Sequence, residues 1–348
     1  MNIHTWLTHC IDMKGSDLHL RVGEPPVLRI DGDLHRCDSP ALRADDMAVM
    51  VDQVMQAEQR AFFAQHLECD LSYEVKGLSR FRINAFHHSG GMSLACRVVP
   101  NQAPRLSELH APALLGPLAC SPRGLILVTG PTGSGKSTTL AAMIQELNLA
   151  LPRHVLTIED PVEFVHTPQQ CLIHQRELGA HTQSFANALR AGLREDPDVI
   201  LVGEMRDLDT IRLAITAAET GHLVLASLHA SEAVKSVDRM VDVFPADEKD
   251  MVRTMLSESL SAVVYQVLCK RRQGPGRVAA YEVMLATPAV RHLIREGKAA
   301  QMYSAIQTGA GVGMQTLDQS LAWLVKQGAI SADEARSKAK FPDQLPLA

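Results

Sequence analysis

From Ser16 to about Pro100, short runs alternate apolar and polar residues: "DLHLRVG", "PVLRIDG", "RFRINAF" and "MSLACRVV". That period of two predicts strands with one face in water. One helical stretch, from "RADDMAVMVDQVM" to "EQRAFFAQHL", interrupts them, and residues 1–104 read as a small α+β domain. Several prolines then mark 105–122 as a linker with one short helix. After Arg123 the texture changes to uninterrupted apolar runs, "GLILVTG", "HVLTIED", "DVILVGE", "HLVLASLH" and "VAAYEVML", separated by helical segments. Runs too short for helices, and apolar on both faces, predict a mostly parallel sheet covered by helices. From "TPAVRHLIREG" onward the pattern is helical, completing an α/β domain over 123–348.

Ligands of such sheets bind beyond the carboxyl ends of the strands. The runs end in Gly130, in Glu159 and Asp160, in Glu204, and in His229. Four strands therefore bring a glycine loop, two acidic clusters and a histidine to one edge.

The glycine loop is the most specific of these. "GPTGSGKST", comprising Gly130, Pro131, Thr132, Gly133, Ser134, Gly135, Lys136, Ser137 and Thr138, fits G-x-x-x-x-G-K-[ST] between a predicted strand and a predicted helix. Its glycines let consecutive backbone N–H groups turn toward phosphates, with Lys136 reaching the β and γ oxygens and Ser137 binding Mg²⁺. The expected ligands are ATP and Mg²⁺. An acid closing a buried strand then falls to Glu204, which can hold the metal directly or through water. In "TIEDPVEF", Pro161 turns the chain so that Glu163 can swing over the γ-phosphate and polarise water, although Glu159 and Asp160 compete for that role on spacing alone. His222 and His229 bracket "HLVLASLH" at odd separation and face opposite sides of an extended strand. His229, at the carboxyl end, is the better γ-phosphate sensor.

Composition narrows the field further. The 348 residues are 46% hydrophobic and 21% charged, as expected of about two globular domains. A net charge of -5 and 4% aromatics argue against a nucleic-acid partner. The basic run "KRRQGPGR" contains Gly and Pro and reads as a solvated turn rather than a phosphate patch. No apolar run nears the roughly 18 residues of a membrane span, and the start lacks a charged leader before an apolar block, so the expected location is the cytoplasm. Seven cysteines without a CxxC pair suggest buried free thiols rather than a disulfide or zinc framework.

"GPTGSGKSTT", "TIEDPVEFVH", "LREDPDVILVGEMRD", "AAETGHLVLASLHA" and "AVRHLIRE" together resemble the type II/IV secretion ATPase superfamily, most closely its type IV pilus retraction ATPases. The resemblance runs from "SDLHLRVGEPPVLRIDG" to "GMQTLDQSL". It implies a RecA-like P-loop domain preceded by a PAS-like domain, with Glu163 as general base, Glu204 as metal-holding acid, and His222 and His229 as a histidine pair. It also implies a homohexameric ring, peripheral at the cytoplasmic face of the inner membrane. There the ring would work on the pilus platform protein, with room for a second retraction ATPase beside it. Ring ATPases complete each site with an arginine from elsewhere in the assembly. Of Arg80, Arg82 and Arg97 on the small domain's strands, Arg82 and Arg97 are the candidates. Val290 and His292 stand where the family's retraction motif usually has Ile and Asn. That helix has Thr287 to cap it and Pro288 at its first position, with Ala289, Val290, Leu293 and Ile294 on one face and Arg291, His292, Arg295 and Glu296 on the other. The apolar face should dock on its own domain, leaving a charged face suited to coupling.

Two rivals remain: an assembly ATPase, and a nucleotide-gated scaffold that scarcely hydrolyses ATP. Assembly ATPases usually carry a longer amino-terminal domain, and steady turnover would exclude the scaffold.

Overall fold

The computed structural model describes residues 2–30, 32–100, 102–274 and 276–345, and the elements below are those of the described residues. The chain divides into two units, Met1–Gln102 and Ala103–Ala348.

The first unit runs α1 (Ile3–Asp12), β1 (Asp17–Arg21), β2 (Val27–Ile30), β3 (Asp33–Arg36), α2 (Ala44–Val54), α3 (Ala57–His66), β4 (Glu68–Val75), β5 (Ser79–His88) and β6 (Gly91–Val99). Its strands form an antiparallel sheet in the order β3-β2-β1-β6-β5-β4. The alternation in "RFRINAF" becomes buried Phe81, Ile83 and Ala85 with Arg82 exposed between them. The expected single helical stretch is two helices, because Met55 at the end of α2 adopts extended backbone. Pattern reading did not register β3, whose four residues are all exposed and so carry no apolar period.

The second unit begins with α4 (Leu115–Ala119) and continues through β7 (Gly124–Thr129), α5 (Lys136–Ala150), β8 (His154–Glu159), β9 (Leu172–Glu177), α6 (Phe185–Gly192), β10 (Val199–Val202), α7 (Leu208–Glu219), β11 (Leu223–Leu228), α8 (Ala233–Asp242) and α9 (Lys249–Ser259). It ends with β12 (Leu260–Lys270), β13 (Arg277–Leu285), α10 (Pro288–Arg295), α11 (Ala299–Thr308), α12 (Leu317–Lys326) and α13 (Ala332–Lys338). Its seven-stranded sheet has the order β13-β12-β7-β11-β10-β8-β9, parallel throughout except for the antiparallel edge strand β13. Both faces are buried, as the apolar runs require. Leu125 and Leu127 of β7 pack with α6, α7 and α8 on one face, while Ile126 and Val128 pack with α5 on the other. Leu106, Leu115 and Ala119, in the segment read as a linker, are buried in that second core.

Two strands escaped the sequence reading. β9, "LIHQRE", is a polar edge strand with one buried residue, Glu177. β12 is largely apolar, and Gln266 near its middle proves to serve the phosphate loop.

Candidate functional site

β7, β11, β10 and β8 lie side by side and parallel, so their carboxyl ends open on one edge, with the glycine loop after β7. Gly133 and Gly135 take φ of 75° and 87°, the left-handed region that side chains resist. At Gly130 a Cβ would stand 2.4 Å from the Gln266 carbonyl oxygen and 2.6 Å from Ser134 Oγ, so only glycine fits. Gln266 Nε2 donates to the Ser134 carbonyl at 2.7 Å and clamps the loop from β12. Sequence reasoning missed this residue, whose one signal was a lone amide in an apolar run.

The loop delivers Lys136 to the first position of α5, where its ammonium donates to the Gly130 and Pro131 carbonyls at 3.1 and 3.0 Å. Burial pulls that ammonium below the usual lysine value, and the carboxylates of Glu204 and Glu163 oppose the pull. Ser137 and Thr138 follow in the first turn of the same helix.

Glu204 leaves the end of β10 on a segment pinned to β11, where Met205 N donates to Ser227 O at 3.0 Å and Ser227 Oγ donates to Gly203 O at 2.5 Å. Its carboxylate accepts from Arg206 Nη2 at 2.7 Å and from His229 Nε2 at 3.1 Å. The hydrogen bond from Arg206 holds Glu204 below the usual carboxylate range despite partial burial. His229 Nδ1 in turn lies 3.3 Å from Lys136 Nζ and 3.3 Å from the Gly130 carbonyl. Lys136, His229 and Glu204 are thus joined by direct contacts across three adjacent strands. The second acid of "DVILVGEMRD", Asp207, serves the fold instead, capping α7 by accepting from Thr210 N at 2.8 Å and Thr210 Oγ1 at 2.7 Å.

The three acids of "TIEDPVEF" also separate. Burial raises the pKa of Glu159, whose Oε1 accepts from Thr157 at 2.6 Å and Gln175 at 3.2 Å, so it is locked into its own strand pair. Glu163 is exposed and near enough to bias the Lys136 ammonium. Asp160 is exposed and bears on Arg206.

The structure parts the two histidines. His222 precedes β11 at the amino edge, where its carbonyl accepts from Gly124 N and its Nδ1 contacts the Ala217 carbonyl at 2.9 Å. The intervening strand puts roughly 20 Å between it and the phosphate loop of its own chain. His222 is therefore removed from this cluster: face alternation was the smaller obstacle, and strand length is the larger one. Arg82 and Arg97 belong to the first unit, on β5 and β6, where they are register partners and both exposed. Two like charges directly opposite one another are unfavourable without an anion to share. Asp17 meets one of them, accepting from Arg97 Nε at 2.8 Å.

A cavity of about 390 Å³ adjoins α5, lined by Gly135, Thr138, Leu268, Arg271 and Arg277 among others. The basic hairpin turn "KRRQGPGR", expected to be merely solvated, thus contributes two arginines to a hollow beside the glycine loop. The helix "TPAVRHLIREG" forms as α10, with Thr287 capping Val290 N and with Val290 and Ile294 buried. Ala289 is exposed and Leu293 only partly buried, so the docked face is narrower than expected. Arg291 is not on a free charged face, since its Nη1 donates to the Ser257 and Glu258 carbonyls at the end of α9.

Residues 1–337 match the family model described as "Type II/IV secretion system protein". The chain belongs to this family of secretion ATPases. Within the family it is 54% identical to the type IV pilus retraction ATPase PilT of Pseudomonas aeruginosa, covering 99% of this chain and 100% of that one. It is also 56% identical to a twitching motility protein of Neisseria gonorrhoeae, covering 92% of this chain and 86% of that protein. A crystal structure of the pilus retraction motor PilT with bound ADP superposes with a TM-score of 0.93 at 42% identity, covering 99% of each chain. The RecA-like α/β architecture is that of the secretion ATPases.

Proposed function

We propose that this protein is an ATP-hydrolysing motor that powers type IV pilus retraction and hence twitching motility. The observation that carries the enzymatic part is the contact chain Lys136–His229–Glu204 at the carboxyl edge of the sheet. Full-length similarity to a retraction ATPase supports the mechanical part.

In this reading the loop from Gly130 to Thr138 wraps the α- and β-phosphates with backbone N–H groups, and Lys136 leaves its carbonyl partners for the β and γ oxygens. The cavity between α5 and the β12–β13 hairpin receives the base and ribose. Ser137 and the ionised Glu204 offer the hard oxygen donors that Mg²⁺ prefers. When bound there, the ion supplies positive charge to the β- and γ-phosphate oxygens. Glu163 polarises the attacking water and receives its proton, a role that Glu159 cannot take while held by Thr157 and Gln175. His229 reads the γ-phosphate and passes the change to Glu204. Arg82 and Arg97 complete the site of a neighbouring subunit in a homohexamer, supplying charge opposite the loop.

The ring works peripherally at the cytoplasmic face of the inner membrane, against the pilus platform protein; among the described residues no helix is long and apolar enough to cross a membrane. Lys136→Ala tests the enzyme: turnover should vanish, because the phosphate charge then lacks its cation in a partly desolvated site. Near-normal hydrolysis would remove the assignment of the loop. Cells lacking the protein should be over-piliated and immobile, and bald cells would mean that the motor extends pili instead.

A further inference from the structure

Glu282, in the antiparallel edge strand β13, is 1% exposed and far in sequence from every phosphate motif. Its Oε1 accepts from Ala233 N at 2.8 Å and its Oε2 from Leu317 N at 3.4 Å. These are the first residues of α8 and α12, so one buried carboxylate satisfies orphan amides at two helix amino ends. Both oxygens accept, which favours the ionised form against the push of burial toward the neutral one.

The start of α8 is fastened on two further sides. Glu232, at its cap position, makes no side-chain cap bond to its own helix, and its carboxylate instead meets Lys340 Nζ at 2.5 Å. Ser236 in the first turn donates to Thr129 Oγ1 at 3.1 Å, on the last residue before the glycine loop. Lys340 is itself held: its backbone N and that of Phe341 donate to the Asp318 carboxylate at 2.8 and 2.9 Å, and its ammonium lies 3.9 Å from the centre of the Tyr303 ring. His229 stands four residues before Ala233, so the held end of α8 and the site histidine share one short connection.

We infer that Glu282 and the Glu232–Lys340 pair are positioning residues that hold the first turn of α8, set His229 against Glu204 and the phosphate loop, and tie that contact to the carboxyl-terminal helices. The inference rests on the ATPase reading and extends it. Displacement of His229 on γ-phosphate loss then bears on the start of α8 and, through its bonds, on α12 and Lys340.

Purified full-length protein carrying Lys340→Glu, Glu232→Lys, or both tests this through kcat and KM for MgATP, with thermal unfolding recorded alongside. The single variants should lose kcat by about 10-fold with KM nearly unchanged, because a misplaced positioning group affects the reaction rather than binding. The double variant restores the ion pair with reversed polarity and should recover most of the loss. Glu282→Gln keeps an acceptor of the same shape for one helix, and should lower kcat without changing KM. Folded single variants with wild-type kcat would overturn the inference, as would a kcat loss that the charge swap leaves uncorrected. Wild-type protein that does not hydrolyse ATP would sink the ATPase reading and this inference with it. Normal wild-type turnover with an unaffected Lys340→Glu variant would sink the inference alone.

Discussion

Arg291 has a calculable cost of removal. Its Nη1 donates to the Ser257 carbonyl at 2.5 Å and to the Glu258 carbonyl at 2.7 Å, the last carbonyls of α9, which no helical amide can reach. Hydrogen bonds from a charged donor contribute about 1.5–3 kcal/mol each. One nitrogen serves both acceptors here, and water can replace it at the exposed Glu258 carbonyl, so Arg291→Ala should cost about 2 kcal/mol in all. For a unit of this size about 2–4 °C is lost per kcal/mol, giving a fall in midpoint of about 4–8 °C. Differential scanning calorimetry at one fixed protein concentration measures it, since assembly also shifts the midpoint. Arg291→Lys keeps the charge and one directed donor and should lie between wild type and Arg291→Ala. A midpoint within 1 °C of wild type (about 0.3–0.5 kcal/mol) would refute the capping argument. If retraction in cells were nonetheless lost, Arg291 would act on a partner rather than within its own fold.

Glu163→Gln should keep nucleotide affinity while hydrolysis falls by about 10²- to 10⁴-fold, and Glu204→Ala should also weaken the dependence on Mg²⁺; steady-state titrations showing the reverse pattern would exchange the two roles. Arg97→Ala subunits mixed with Lys136→Ala subunits should regain activity where an intact loop meets an intact arginine, and no recovery in demonstrably mixed rings would confine Arg97 to its bond with Asp17. Burial lowers the pKa of His166 from 6.5 to about 4. The unfolded chain therefore binds a proton there that the folded chain refuses. Stability should fall as pH drops from 6.5 toward 4, with a slope of up to about 1.4 kcal/mol per pH unit from this group, and should be insensitive to it above 6.5. Denaturant melts of His166→Phe should lose that component of the slope; an unchanged slope would mean that His166 protonates in the folded state.

What the sequence determined by itself is whatever closes within a few residues. "GPTGSGKST" specifies its own turn, because glycine alone takes the required φ values and Lys136 is carried to the head of a helix that starts at that residue. Thr287 followed by Pro288 starts α10 on the same local grounds, and "GLILVTG" announces a strand buried on both faces. The tertiary structure decided which distant groups meet. His222 and His229 bracket one strand in the sequence, and parallel pairing of β11 with β7 brings the His229 end to the edge that holds the glycine loop. Glu159 competed with Glu163 on spacing alone until β9, a strand without a clear period, brought Gln175 against it. Gln266 and Glu282 were isolated polar residues inside apolar runs until β12 aligned beside β7 and β13 beside β12. Arg291 counted as a solvent-facing charge until α9 ended beneath it. A local motif carries its own sterics and hydrogen bonds, whereas a buried polar group takes its meaning from the unsatisfied partner the fold places next to it, and that partner lies tens to more than a hundred residues away.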